Sequence, residues 1–96
     1  MPLFRTFIRG ERFLIESEGQ IKLLGFYTTR FVEAADPEDA EYKAVDLIRN
    51  DQALRDCIRN TKSDPPTMFV EKIDELEQGE ELPSNTGYTF FPGDEQ

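Results

Sequence analysis

The side chains able to do covalent or proton-transfer chemistry are few in kind. The chain has one cysteine, Cys57, no histidine, and 20 carboxylates. Without an imidazole there is no Ser-His or Cys-His pair, no histidine general base and no histidine metal ligand. Cys57 follows Leu54 by three residues and precedes Ile58, on the apolar stripe of a short helix. A thiol there acts as a small hydrophobe. Carboxylate pairs such as Glu38 with Glu41 and Asp74 with Glu77 could share a proton or hold a divalent cation. They fall at helix starts and turns, where acids face water, and no calcium-loop spacing with its glycine accompanies them. The glycines are scattered, so no phosphate-cradling loop is formed. The expectation is a chain that is not an enzyme, with no catalytic residue, no cofactor and no metal.

Binding is a different matter. Tyr88, Phe90 and Phe91 place three aromatics in four residues near the C-terminus. Such a segment either docks on its own sheet or meets a partner. Arg55, Arg59 and Lys62 are a candidate anion contact. Arg5, Arg9, Arg12 and Arg30 occur near Phe7, Phe13 and Tyr27. Arginines among aromatics on a sheet can stack nucleobases; cross-strand packing and ion pairs with Glu16 or Glu33 are the favoured account. Charge decides between these. The net charge is −9, which repels phosphates and anionic membranes. The imbalance sits late in the chain, where Glu71, Asp74, Glu75, Glu77, Glu80, Glu81, Asp94 and Glu95 face Lys72 alone. Nucleic acid and membrane are therefore not expected partners. A protein partner or a homo-oligomer is, and any partner met through the acidic end should be basic.

The element that positions the rest is the stretch Gly25–Asn50. Phe26–Val32 is aromatic and β-branched, as a strand requires, with Phe26, Thr28, Arg30 and Val32 on one face and Tyr27, Thr29 and Phe31 on the other. Asp36 can cap a helix that Pro37 begins and that Glu38 and Asp39 favour electrostatically. Ala40, Ala44, Leu47 and Ile48 form its apolar stripe, widened by Val45. Asn50 is placed to end it in a left-handed turn. Before this core element, Leu3–Arg9 reads as a strand, Gly10-Glu11 as a hairpin turn, Arg12–Glu16 as the returning strand and Ser17–Gln20 as a second turn. After it, Asp51 can cap a short second helix running to about Asn60. Thr67–Leu76 is a strand, with Phe69 and Ile73 on one face and Met68 and Val70 on the other, although its spacing also fits a helix.

The order β-β-β-α-(α)-β makes an α+β fold: a two-layer domain with a mainly antiparallel sheet and one long helix packed on one face. Residues 1–78 are the single domain. Residues 79–96 are an acidic linker, exposed over Gln78–Thr86, followed by the aromatic segment that docks on the domain or on a partner. This element order resembles that of small bacterial antitoxins of the HicB type; the resemblance lies in element order alone and carries no functional residue across. The lone cysteine and the lack of an apolar run of roughly 20 residues point to the cytoplasm. The function expected is a non-catalytic protein-interaction or regulatory module. Second comes a nucleic-acid-linked regulator, either an antitoxin-like binder or an acidic mimic of nucleic acid. A small carboxylate-dependent enzyme comes last.

Overall fold

The computed structural model describes residues 2–77 and 87–92. They run β1 (Leu3–Ser17), β2 (Gln20–Glu33), α1 (Pro37–Arg49), α2 (Gln52–Arg55), β3 (Thr67–Leu76) and β4 (Thr89–Pro92). All four strands join one antiparallel sheet in the order β3-β1-β2-β4. The helix α1 lies on one face, so the expected two-layer α+β class holds. The acidic stretch expected as an exposed linker, residues 78–86, lies outside the described residues.

One expected turn is absent. Gly10-Glu11 does not reverse the chain, and β1 runs straight through it, so two long strands precede the helix instead of three. Gly10 pairs with Phe26 and Phe13 with Leu24, which leaves Glu11 and Arg12 opposite Gly25 alone. Arg12 takes φ 64° to accommodate this bulge. A bulge and a hairpin leave the same mark on a sequence, because each reverses which parity faces the core. Phe4, Thr6 and Ile8 before the bulge and Phe13 and Ile15 after it are all buried on one side. The real hairpin is Ser17–Gln20, as expected. Glu18 and Gly19 both have positive φ, 53° and 80°, the twist that two-residue hairpins favour.

The far half of β1 explains a second departure. The strand β3 covers only Leu3–Glu11 of β1. The remaining edge is filled by residues 57–60, which were expected to be helical. Glu16 N–H donates to the Cys57 carbonyl (2.8 Å), and Arg59 N–H donates to the Leu14 carbonyl (2.8 Å). Asn60 then satisfies the bulge itself: its Oδ1 accepts from Leu14 N–H (2.9 Å), and its Nδ2 donates to the Arg12 carbonyl (2.8 Å). Unpaired strand backbone is costly to bury, so edge pairing outweighs the local preference for helix and α2 stops at Arg55.

The helix α1 begins as its sequence dictates. Asp36 Oδ1 accepts from Asp39 N–H at 2.8 Å, and Asp39 Oδ2 accepts from Ala35 N–H at 3.0 Å. That second bond, with Lys43 beside it, holds the Asp39 carboxyl below its usual range. Ala40, Ala44 and Ile48 are buried, but Leu47 is 43% exposed, at the margin of the stripe. Asn50 ends the helix at φ −98° rather than in a left-handed turn, its amide and side chain both donating to the Asp46 carbonyl. β3 is the strand expected, with a different division of faces. A second bulge at Glu71, between the pairs Phe7–Lys72 and Ile8–Val70, turns Met68, Val70 and Ile73 toward the core and leaves Phe69 on the far side.

The core therefore lies between α1 and one face of the sheet, filled by Phe4, Ile8, Phe13 and Phe26 against Ala40, Ala44, Ile48 and Leu54. Glycine lets two rings sit on backbone. A Cβ at Gly10 would overlap the Phe26 ring, and one at Gly25 the Phe91 ring. Among the described residues no helix is long and apolar enough to cross a membrane.

Candidate functional site: the open face of the sheet

Because strand residues alternate, everything α1 does not cover points the other way. By register this open face carries Arg5, Phe7 and Arg9 from β1, Tyr27 from β2, Phe69, Lys72 and Asp74 from β3, and Phe91 from β4. Phe7, Tyr27 and Phe69 are 38%, 39% and 40% exposed. Phe7 stacks on Tyr27 with centroids 5.4 Å apart and planes 6° from parallel. Tyr27 meets Phe91 at 5.1 Å. The Arg9 guanidinium lies over the Phe69 ring, 4.6 Å from its centroid. The result is a stripe of rings running across the sheet, pinned at one end by a cation–π contact.

The cations of this stripe are already matched. Arg9 Nε donates to Glu71 at 2.7 Å, and Glu11 closes on the same guanidinium. Arg5 reaches Asp74 at 3.2 Å, and Lys72 lies 3.9 Å from the same carboxylate. The Glu71 carboxylate, accepting that hydrogen bond, raises the Arg9 pKa. This face is thus electrically balanced on a molecule that carries −9 overall.

The covered face holds the mirror arrangement. Arg30, expected beside Phe7 and Tyr27, is instead 4% exposed inside the core, because its parity is that of Phe26 and Val32. Its guanidinium donates to Thr28 Oγ1 (2.6 Å) and to the Thr29 carbonyl (3.0 Å), and lies 5.0 Å from the Tyr88 ring. Thr28 Oγ1 in turn donates to the Gly87 carbonyl (2.8 Å). Tyr88 O–H donates to Asp51 Oδ2 at 2.6 Å, and that carboxylate stands 3.9 Å from Arg30. Burial, with Asp51 beside it, pushes the Tyr88 hydroxyl up to about 12. The Tyr88 hydroxyl and the Ala53 and Leu54 amides lower the Asp51 pKa. Three distant parts of the chain close on one buried guanidinium, and every polar group in it has a partner.

The residues singled out from sequence divide accordingly. Tyr88 packs edge-on against Phe26 at 4.9 Å, within the chain's own core. Phe91 lies on Gly25 and joins the open-face stripe, and Phe90 is 43% exposed, with its ring edge-on to Phe26 and the centroids 6.0 Å apart. Arg59 is engaged by Glu16 at 2.7 Å, whereas Arg55 and Lys62 are exposed. The Arg12 and Phe13 of the supposed base-stacking set also leave it: Arg12 pairs with Asp64, and Phe13 is core. Cys57 is half-buried, its thiol donating toward the Leu54 carbonyl at 3.3 Å. Among the described residues no three Cys, Asp or Glu side chains converge to hold a metal. Sequence reasoning missed Phe69 and Asp51. Phe69 was detectable as the one ring at opposite parity to Met68 and Val70; nothing local marks Asp51 beyond its role as a cap.

No family model matches the chain, and comparisons with curated proteins and with solved structures give no significant match.

Proposed function

We propose that the protein is a non-catalytic association module that pairs with a second copy of itself through the open face of its sheet. The observation carrying this reading is the exposed ring stripe Phe69-Arg9-Tyr27-Phe7. Aromatic residues and arginine are what the centres of protein interfaces are enriched in, and contiguous exposed rings are rare on surfaces that meet only water.

Charge favours a copy over other occupants. A nucleic acid needs free cations for its phosphates, and Arg5, Arg9 and Lys72 are each beside a carboxylate. A basic protein would be drawn to the acidic remainder of the chain instead. A copy brings matched pairs against matched pairs, and a two-fold arrangement makes the surface complementary to itself. The face spans roughly 26 by 14 Å, from eight strand steps and three strand spacings. That is about 360 Å² per copy, below the roughly 800 Å² per partner of a standard specific interface, so the dimer is weak, transient and concentration-dependent.

Sedimentation equilibrium tests this. Two copies of net charge −9 repel through their outer surfaces, so dimerisation strengthens as salt rises from about 0.05 M to about 0.3 M. Binding to a basic partner or to nucleic acid would weaken over the same range. Phe69→Ser and Tyr27→Ser should each leave a folded monomer. A chain that stays monomeric at millimolar concentration in high salt would overturn the proposal.

A further inference from the structure

On the helix side, away from the open face, α1, α2 and the loop entering β3 line a half-open cavity of about 350 Å³. Its floor is the core itself: Phe13, Ile48 and Leu54, all buried. Its rim is Pro65-Pro66, whose locked φ angles keep the loop from collapsing inward. The loop is also tied down, since Asn60 Nδ2 donates to the Asp64 carbonyl at 2.9 Å and Arg12 pairs with Asp64. Arg49 is the only charged side chain among the described residues that line the cavity. It is exposed, and among the described residues no ion pair engages it. Most other arginines of this acidic chain have a carboxylate close by, so a free guanidinium at the mouth of an apolar hole is distinctive.

We infer that this cavity binds a small amphiphilic carboxylate, with its apolar body against Ile48 and Leu54 and its carboxylate on the Arg49 guanidinium. An apolar chamber with one convergent polar group is the usual form of a small-molecule site, and such sites hold roughly 300–1,000 Å³. This one is at the lower limit, which admits a single short chain or one ring system and excludes a two-chain lipid. Arginine suits a carboxylate because its planar fork can donate two parallel hydrogen bonds.

Titration of the ¹⁵N-labelled full chain with sodium decanoate, below its micelle-forming concentration, tests the inference. Saturable shifts are expected at Ile48, Leu54 and Arg49, and not at Tyr27 or Phe69. Decanol, the same chain without the charge, should bind about fivefold more weakly. Arg49→Gln should reduce decanoate to the level of decanol, and Val45→Phe, which fills the chamber, should abolish binding of both. If Val45→Phe does not fold, the exposed Arg49→Gln variant still decides. Equal binding of decanoate and decanol overturns the carboxylate assignment, and no saturable shift around the cavity overturns the site. Neither outcome touches the open face.

Discussion

Two arginine–aromatic pairs occupy opposite faces of one sheet. Arg9 lies over Phe69 in water; Arg30 lies over Tyr88 in the core. The chemistry is alike, and the consequences differ because the solvent differs. In water the Arg9 pair is screened, and losing it costs little. In the core Arg30 must be satisfied on every side, and removing it strands Asp51, Thr28 and the Tyr88 ring together. One face therefore holds the chain together, and the other presents rings that water still reaches.

The largest effect that would sharpen this contrast is Arg30→Ala. It should cost about 3 kcal/mol, measured by urea unfolding, while Arg9→Ala should leave the urea midpoint nearly where it is. Equal costs would break the comparison. Next comes Gly25→Ala, which drives a methyl group into the Phe91 ring. It should destabilise by about 2 kcal/mol and release β4, seen as loss of amide protection at Phe90 and Phe91.

Tyr88→Phe keeps the ring and removes the hydroxyl, and should cost about 1 kcal/mol. The same bond makes the C-terminal attachment pH-dependent at both extremes. The Tyr88 pKa is raised by folding, to about 12, so its contribution is complete below about 10 and is lost as pH rises toward that value. The Asp51 pKa is lowered by folding, so its contribution is present above the ordinary carboxylate range and is lost as pH falls through and below it. Amide protection at β4, taken relative to the intrinsic exchange rate at each pH, should fall at both ends, and Tyr88→Phe should remove the alkaline limb and shrink the acid one, because the Tyr88 hydroxyl is the main cause of the lowered Asp51 pKa. The smallest effect on stability is expected from Phe69→Ser, within about 0.5 kcal/mol, yet this variant should lose self-association. A Phe69→Ser protein that unfolds easily would place that ring in the fold instead of at an interface.

Several features could be read from residues alone. The cap Asp36, the first-turn Pro37 and the spacing of Ala40, Ala44 and Ile48 specify α1, because capping and helical periodicity act within a few residues. The turn at Glu18-Gly19 is local in the same way. The parity of Phe4, Thr6 and Ile8, and of Phe26, Thr28, Arg30 and Val32, was also legible. What that parity meant was not: alternation shows which residues share a face, and gives no sign of which face a helix will cover. Arg30 looked like a surface residue because charge is costly to bury, and its burial depends on Asp51 and Tyr88, 21 and 58 positions away in the chain.

By itself the sequence determined the α+β class, the helix, a turn at Glu18-Gly19 and a chemistry without imidazole, since all of these follow from composition or from contacts a few residues apart. Tertiary structure alone decided that Gly10-Glu11 bulges instead of turning, that Glu71 resets β3, that residues 57–60 pair along β1, and that Tyr88 closes on Arg30. Each of those outcomes is settled by backbone or charge seeking a partner far along the chain, and a local pattern carries no information about partners that only folding brings near.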